Sequence, residues 1–278
     1  MGYSFPYMET TKQVKTEEFF IRHPVFSLEE AVDALKPVGG YPAVVERLKY
    51  HIARGRLKHL ARGLYATVPL GESAGQFQPD PFWVAAVLRP DGVFCYHSAL
   101  QLLGAAHSIW HEYAVFSNRR RPPLLLKSER IVFLEPPTSL KRKKAEHVGV
   151  RQVEWLGRLL QVTGPERTLI EGFRRLDLVG GLSELLESSA GFPYLDLDLL
   201  YTILKHYHVT VLWAASGWFL ELHQTVFQVP DDFLNRLEAH KPKGPRYLGR
   251  REPGGTLVPR WNLILPAEAV KLSESYEH

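Results

Sequence analysis

The sequence predicts an α+β protein with a small N-terminal domain at residues 1–70 and a larger mixed domain at residues 71–278. In the first domain, two short helix patterns separated by glycines are followed directly by two strand-like runs. A stretch rich in Gly, Pro, Ser and Gln at residues 69–81 then favours a linker. Strand patterns dominate up to residue 163 and helix patterns follow. This divides the larger domain into an α+β part with a small sheet at 81–163 and a mainly helical part with a final strand at 164–278.

Composition excludes several classes of protein. The chain has 278 residues, of which 45% are hydrophobic and 23% charged, as is typical of globular rather than disordered proteins. Its single cysteine, Cys95, excludes a disulfide framework and any multi-cysteine metal site. The apolar stretch at 209–220 is shorter than the roughly 20 residues that a membrane span needs. The first residues do not resemble a signal peptide, so we expect a cytoplasmic protein without membrane contact.

The first helix of the predicted pair begins at a capping box. Ser27 can accept the N–H of Glu30, whose carboxylate can accept the N–H of Ser27. Pro37 and Gly39 favour the end of this helix. Between these signals, apolar residues recur along one stripe of the helix: Leu28, Ala31, Val32 and Leu35.

A second helix is predicted from Pro42, because proline is tolerated in a first helical turn, to the residues before Gly55. Together the two helices predict a helix-turn-helix. An earlier helix at residues 12–21 would complete a three-helix core around Phe19, Phe20 and Phe26. The buried face of the second helix is predicted to consist of Val44, Val45, Leu48 and Ile52.

The two strand-like runs, at residues 56–60 and 64–68, enclose residues 61–63. Gly63 can adopt the positive φ that a tight hairpin turn needs. A hairpin directly after a helix-turn-helix is the plan of a winged helix, so we predict a winged helix-turn-helix domain at residues 1–70.

Basic and aromatic side chains of this domain are candidates for DNA contact. If the second helix buries its valines, its opposite face fits the major groove, where arginine can bond guanine with two hydrogen bonds. If Arg47 reads a base, Arg47→Ala is expected to reduce sequence discrimination by about 1–3 kcal/mol. Arg62, at the hairpin tip, is the strongest candidate for insertion into the minor groove. The candidates are Tyr41, Arg47, Lys49, Tyr50, Arg54, Arg56, Lys58 and Arg62.

Charge is segregated along the chain, although the formal net charge is only +4. Residues 117–151 carry a net charge of +7 and residues 160–240 a net charge of −6. Two basic clusters in the first of these segments are predicted on loops beside strands. The sequence is compatible with two interpretations of these clusters, namely contact with DNA phosphates and plain solvation. The clusters comprise Arg119, Arg120 and Arg121, and Lys141, Arg142, Lys143 and Lys144.

The patterns after residue 81 predict further elements. Helices are expected at residues 82–88, 96–103, 182–186, 195–204, 209–227 and 233–237, with another starting at Pro165, and strands at 113–116, 130–134, 148–155, 158–162 and 261–266.

No catalytic, cofactor or metal motif stands out. The phosphate-loop and dinucleotide-binding glycine patterns are absent from the sequence. Cys95 near His97 is better interpreted as a buried cysteine than as a nucleophile with its base. His206 and His208 lie on different faces of a helix, while Asp196 and Asp198 are interpreted as charges at a helix N-terminus. We therefore predict a protein that is not an enzyme and has no catalytic residues, cofactor or metal.

Three motifs in this order resemble the AbiEi antitoxins of type IV (abortive-infection) toxin–antitoxin systems. They are Gly55-Arg56-Leu57-Lys58-His59-Leu60-Ala61-Arg62-Gly63-Leu64-Tyr65, Tyr96-His97-Ser98-Ala99-Leu100-Gln101-Leu102-Leu103-Gly104 and Val162-Thr163-Gly164-Pro165-Glu166-Arg167-Thr168-Leu169. The resemblance extends over residues 26–266, and the first twenty residues are an addition to the family pattern.

The resemblance implies a transcriptional autorepressor that is also an antitoxin. In that family the winged helix binds inverted repeats in the promoter of its own operon. The C-terminal domain counteracts a nucleotidyltransferase-like toxin, and this neutralisation does not require a stable complex. Applied to this chain, the resemblance implies DNA contacts by Tyr41, Arg47, Lys49, Arg54, Arg56, Lys58 and Arg62.

Two other functions remain open from the sequence. A winged helix can dock protein instead of DNA, in which case the chain is an adaptor and its arginines only confer solubility. A divergent nuclease could use the basic loops to hold its substrate, although it would also need a cluster of carboxylates. Affinity for duplex DNA that falls steeply with salt distinguishes the repressor from the adaptor.

Overall fold

The computed structural model describes residues 7–36, 39–119, 121–250 and 254–266, with side chains described from Lys15 onward. These residues form a mixed α+β protein, as predicted. The helices are α1 (Tyr7–Arg22), α2 (Leu28–Leu35), α3 (Gly40–Ala53), α4 (Pro81–Leu88), α5 (His97–Leu102), α6 (Thr138–Arg142), α7 (Pro165–Arg174), α8 (Leu182–Ala190), α9 (Leu197–Tyr207), α10 (Thr210–Leu222) and α11 (Asp231–Glu238).

The strands are short and fall into three sheets. They are β1 (Val25–Ser27), β2 (Leu57–Ala61), β3 (Leu64–Thr67), β4 (Val93–Phe94), β5 (Glu112–Phe116), β6 (Leu124–Leu126), β7 (Glu129–Leu134), β8 (Val150–Trp155), β9 (Arg158–Thr163), β10 (Arg246–Tyr247), β11 (Thr256–Val258) and β12 (Leu263–Leu265).

The chain divides into two compact units. The N-terminal unit comprises the described residues up to Asp91 together with Leu124–Ile131, and the C-terminal unit comprises the rest. The boundary therefore falls about twenty residues after the one predicted near residue 70. The difference arises because α4 packs against β1, so the segment after residue 70 belongs to the first unit.

In the N-terminal unit, three helices cover a three-stranded antiparallel sheet with the order β1-β3-β2. Phe19 and Phe20 from α1 meet Phe26 from β1, with ring centroids 4.9 and 5.9 Å from that of Phe26. Val44 and Leu48 of α3 are buried in the same core. The predicted three-helix core is thus present, and its aromatic residues fix α1 against the sheet.

The capping box at the start of α2 is confirmed. Ser27 Oγ accepts the N–H of Glu30 at 3.1 Å, and a Glu30 carboxylate oxygen accepts the N–H of Ser27 at 2.6 Å. Both bonds satisfy N–H groups that the helix itself leaves unpaired.

Ser27→Ala removes one of these bonds. We expect it to lower the free energy of unfolding by about 1 kcal/mol, as measured by chemical denaturation. Ser128→Ala, in an exposed turn, is the matched control and should change it by less than about 0.5 kcal/mol. Equal effects of the two changes would contradict a capping role for Ser27.

The helix α3 starts two residues earlier than predicted. Gly40 is its first residue and has φ +59°, so Pro42 lies within the first turn rather than opening it. At the other end Arg54 caps the helix and Gly55 has φ +70°, which confirms the predicted termination. Pro37, proposed as a helix stop, lies outside the described residues.

The predicted hairpin is confirmed as β2 and β3. Ala61 pairs with Leu64, so the loop consists of two residues, Arg62 and Gly63, rather than the predicted three. Gly63 has φ +71° and its carbonyl accepts the N–H of Leu28 at 2.8 Å. A bulge between His59 and Ala61 shifts the register of the hairpin.

The C-terminal unit is a sheet flanked by helices. β4 pairs in parallel with β9 and antiparallel with β5, while β8 and β9 form a hairpin with six paired positions. Helices α7 to α11 carry more than half of the buried residues of the main hydrophobic core of the unit. A separate three-stranded sheet, in the order β10-β12-β11, contains the predicted final strand and two short strands that the sequence patterns did not predict.

Two predicted elements of this unit were wrong in extent or type. The helix expected at 209–227 ends at Leu222, and Phe227 follows it in a turn. The cluster that begins at Lys141 was expected on a loop, but Lys141 and Arg142 form the last residues of the short helix α6.

Candidate nucleic-acid interface

Exposed aromatic and cationic side chains lie along α3 and at its C-terminal end. Tyr41 and Tyr50 are 54% and 52% exposed, and the side chains of Lys49 and Arg54 are also exposed. The guanidinium of Arg54 lies 4.6 Å from the centroid of the Tyr50 ring. This contact holds a cation and a flat ring side by side, both open to solvent.

Lys49 makes an exposed ion pair. Its Nζ lies 2.8 Å from Glu46 Oε1, one helical turn earlier, and both side chains are more than 60% exposed. Such pairs contribute little to stability and break readily. Lys49 is therefore available for another anion.

Arg47 and Arg56 depart from the expectation that they point outward. Arg47 is half-buried and its Nη1 donates to Thr16 Oγ1 of α1 at 3.2 Å. Arg56 Nη2 donates to Glu17 Oε2, also on α1, at 2.6 Å, and its Nη1 donates to the carbonyl of Val68. The spacing of the valines in α3 predicted which face of this helix is open to solvent. In the structure, α1 covers the edge of that face. These two arginines hold α1 in place.

His51 reports the positive potential of this region. Burial lowers the pKa of His51, and the charges of Arg56, Arg47 and Arg54 lower it further, against the opposing effect of Glu17. His51 is therefore neutral at neutral pH, and three guanidinium groups lie within electrostatic reach of it.

Arg62 occupies the tip of the β2–β3 hairpin. Its side chain is exposed and makes no ion pair with any residue that the structure describes. The two-residue loop therefore places this guanidinium at the exposed turn of the hairpin.

Lys127, a residue that the sequence patterns did not single out, lies near Lys58. Lys58 Nζ donates to the carbonyl of Phe77, and Lys127 Nζ donates to the carbonyl of Gln76 at 3.1 Å. Burial lowers the pKa of Lys58, and the neighbouring charge of Lys127 lowers it further. The two lysines thus tether the predicted linker segment and add positive charge beside β2. Lys127 lies in the turn between β6 and β7, with φ +47°, which no local pattern connects to β2.

In the basic clusters of the C-terminal unit, some side chains are exposed and others are bonded within the protein. Lys141 Nζ lies 3.3 Å from Glu135 Oε2, and Lys143 Nζ donates to the carbonyl of Lys205. The cluster at 119–121 lies on a loop, where the N–H of Arg119 donates to Ser117 Oγ and Arg121 is half-buried beside Pro122; Arg120 lies outside the described residues. The exposed residues of the two clusters in the described parts of the chain are Arg119, Arg142, Lys143 and Lys144.

The second motif of the resemblance is buried in the C-terminal unit. His97 Nε2 lies 3.1 Å from Glu184 Oε1, and its ring stacks on Trp110 with centroids 5.4 Å apart. The same carboxylate oxygen accepts the N–H groups of His107 and Ser108, each at 3.1 Å. This motif therefore joins α5 to α8 through a polar core and does not line a surface.

The third motif is buried as well. Arg167 Nε donates to Glu171 Oε1 at 2.8 Å, and both side chains are almost fully inaccessible. Arg167 Nη1 donates to the carbonyls of Glu146 and Val148, and the Tyr207 hydroxyl donates to Glu171 Oε1. These bonds connect α7 to α9 and to the segment before β8, so the motif acts in folding.

The buried histidine makes stability dependent on pH. Burial lowers the pKa of His97 below its ordinary value of 6.5, more than the Glu184 carboxylate raises it. The folded protein therefore binds fewer protons than the unfolded chain near that pH, and the free energy of unfolding must fall as the pH falls. We expect denaturation experiments to show lower stability at about pH 5.5 than at about pH 7.5, with a smaller difference in His97→Gln. An unchanged difference in the variant would contradict this role of His97.

The remaining candidate residues have structural positions. Cys95 is fully buried, and burial raises the pKa of its thiol. Asp196 caps α9 by accepting the N–H of Leu199 at 2.9 Å, and Asp198 lies in the first turn, which confirms both as N-terminal charges. Within the described ranges, no group of three or more His, Cys, Asp and Glu side chains is placed to hold a metal ion, and no helix is long and apolar enough to cross a membrane.

Comparisons with known proteins bear on the fold. No protein-family model matches the chain, and no curated protein matches it. Among solved structures, it is similar to the crystal structure of the RV2827C protein from Mycobacterium tuberculosis, with a TM-score of 0.62 over 96% of this chain and 95% of that chain. The sequence identity is 18%, so the likeness concerns the fold alone. The chain thus shares a mixed α+β fold with that protein over nearly the whole length of both.

Proposed function

We propose that this protein is a DNA-binding transcriptional autorepressor and the antitoxin of a type IV toxin–antitoxin operon. Its N-terminal unit acts as a winged helix on inverted repeats in its own promoter. Its C-terminal unit counteracts a nucleotidyltransferase-like toxin without needing a stable complex.

The observation that carries the DNA-binding proposal is the exposed surface of α3 together with the hairpin tip. The order α1-β1-α2-α3-β2-β3, with β1 pairing to β3, supports the winged-helix interpretation. In this interpretation α3 enters the major groove. Tyr41, Lys49, Tyr50 and Arg54 are the exposed side chains that meet the DNA there.

The hairpin and its surroundings supply contacts beyond the major groove. Arg62 at the tip inserts into the minor groove, where a narrow groove attracts arginine. Lys58 and Lys127 each use one N–H donor on a backbone carbonyl and retain others for a phosphate. Arg47 and Arg56 act indirectly, since their bonds to α1 fix the position of α3 rather than reach a base.

The antitoxin half of the proposal depends on the resemblance in the second and third motifs. Both motifs are buried in the C-terminal unit, where their hydrogen bonds join α5 to α8 and α7 to α9. We therefore infer that neutralisation depends on the outer surface of the C-terminal unit, where Asp198, Asp231 and Asp232 are exposed, while the buried motifs maintain the fold.

A binding assay with DNA from the region immediately upstream of the gene tests the repressor proposal. We expect fluorescence anisotropy to show that this duplex binds at least about 10³-fold more tightly than a shuffled duplex of equal length at physiological salt. Failure to bind the upstream duplex at low salt would refute the proposal in favour of a protein-docking adaptor.

A coexpression assay tests the antitoxin proposal separately. Exposed acidic residues of α11, such as Asp232, are candidates for substitution because α11 belongs to the C-terminal unit. Substitutions on α7 to α11 are expected to abolish protection against a neighbouring nucleotidyltransferase-like toxin while DNA binding stays intact. A substitution on α7 to α11 that abolishes both DNA binding and protection against the toxin would contradict the proposal that each unit has its own function.

A further inference from the structure

A cavity of about 940 Å³ opens in the C-terminal unit, apart from the surfaces described above. It lies between the C-terminal end of α7, the segment that leads into α8, the start of α10 and the segment after β10. A volume of this size is typical of sites that hold small organic ligands.

The charged groups that line this cavity are mostly cationic. Arg174, Arg175 and Arg250 line it, and Asp177 is the one acidic side chain among the described lining residues. Asp177 is held by Arg175, whose Nε and Nη2 donate to its two carboxylate oxygens at 2.9 and 2.6 Å. The hydrogen bond from Arg175 is the main reason that the pKa of Asp177 is lowered, so it is ionised at neutral pH.

Two guanidinium groups remain after this pairing. Arg174 has one long hydrogen bond, 3.4 Å from its Nη1 to the Tyr96 hydroxyl. Arg250 makes no ion pair with any residue in the described parts of the chain, and its charge also lowers the pKa of Asp177. The lining thus carries a net charge of two positive units, with both uncompensated groups exposed to solvent.

The rest of the lining provides an apolar wall and backbone donors. Phe173, Leu176, Val211 and Leu248 supply apolar surface. The helix α8 begins at this cavity with Gly181 as its N-cap, which has no side chain to accept the first N–H groups of the helix. Because Glu184 also lies in the first turn of α8, the attraction of the cavity for an anion comes from Arg174 and Arg250.

We propose that this cavity binds an organic phosphate. The phosphate group lies between Arg174 and Arg250, where its two negative charges match the net charge of the lining. Guanidinium groups bind phosphate oxygens in paired hydrogen bonds, whereas a single carboxylate would compensate only half of the charge. The apolar wall takes the organic part of the ligand, because inorganic phosphate alone would leave most of the volume unfilled.

Calorimetric titration of the full-length protein tests this proposal, with adenosine monophosphate, glucose 6-phosphate, inorganic phosphate, adenosine and benzoate as probes. We expect at least one of the two organic phosphates to bind about tenfold or more tightly than the other three probes. A preference for the nucleotide or for the sugar phosphate identifies the organic part, and either preference supports the site. Failure of both organic phosphates to bind, or binding of adenosine as tight as that of its phosphate, overturns the proposal.

Substitutions locate the binding. Arg174→Gln and Arg250→Gln are each expected to weaken it about tenfold or more, since each removes a charged donor. Val209→Trp, at the half-exposed rim, should weaken it by filling the cavity. Arg236→Gln in the same unit should leave the affinity unchanged. Unchanged affinity in the Arg174→Gln/Arg250→Gln double variant would contradict the proposed site.

Discussion

Removing the carboxylate of Glu171 is expected to destabilise the C-terminal unit by about 3–5 kcal/mol. Glu171 accepts hydrogen bonds from Arg167 Nε and from the Tyr207 hydroxyl, and all three side chains are buried. Glu171→Ala would leave the guanidinium of Arg167 without its counter-charge in a site that water does not reach. The large cost follows from that uncompensated charge rather than from the energy of the pair itself.

Chemical denaturation of Glu171→Ala, with two comparison variants, separates these effects. Arg167→Met with Glu171→Leu removes both charges and keeps the volume, so we expect it to cost much less than Glu171→Ala alone. Glu46→Ala breaks the exposed pair with Lys49 and is expected to cost less than about 1 kcal/mol. A double variant as unstable as Glu171→Ala would show that the pair contributes through its specific hydrogen bonds instead.

Removing two guanidinium groups from the proposed DNA surface is expected to weaken DNA binding strongly. Arg54→Ala and Arg62→Ala together should reduce affinity for the upstream duplex about 100-fold or more at low salt, since each removes a charged donor. Both side chains are exposed, so the thermal unfolding of the variant should match that of the wild type.

The control for this variant removes one positive charge elsewhere. Arg236→Ala, on the exposed side of α11, should leave DNA affinity nearly unchanged.

Arg47→Ala distinguishes the two roles considered for Arg47. Because Arg47 donates a hydrogen bond to Thr16, we expect Arg47→Ala to lower the free energy of unfolding by about 1 kcal/mol. We also expect this variant to bind all DNA sequences more weakly by the same factor, without a change in discrimination between bases. A selective loss of discrimination would mean that Arg47 leaves α1 to contact a base.

Local signals predicted much of the N-terminal unit. The capping box at Ser27, the helix end at Gly55 and the turn at Gly63 each depend on residues within a few positions of one another, so the sequence contains the whole cause. The predicted three-helix core also formed, because phenylalanine at three nearby positions leaves few other ways to bury those rings.

Contacts between distant segments limited the prediction of the site. The helical period of α3 placed Arg47 opposite Val44 and Val45, but only the fold shows that α1 covers it. Lys127 lies 69 residues beyond Lys58 in the chain, and no local pattern connects them. The missed strands β1, β4, β6, β10 and β11 have two or three residues each, too few for an alternating pattern to be distinguished from a loop.

The salt dependence of binding to the upstream duplex tests the central claim most directly, namely that the exposed cations of α3 and of the hairpin contact DNA. The account predicts that the logarithm of the association constant falls linearly with the logarithm of the salt concentration, by about 0.9 for each phosphate neutralised. In Arg62→Ala the slope should be smaller by about one. A slope near zero in the wild type, or an identical slope in Arg62→Ala and the wild type, would contradict it.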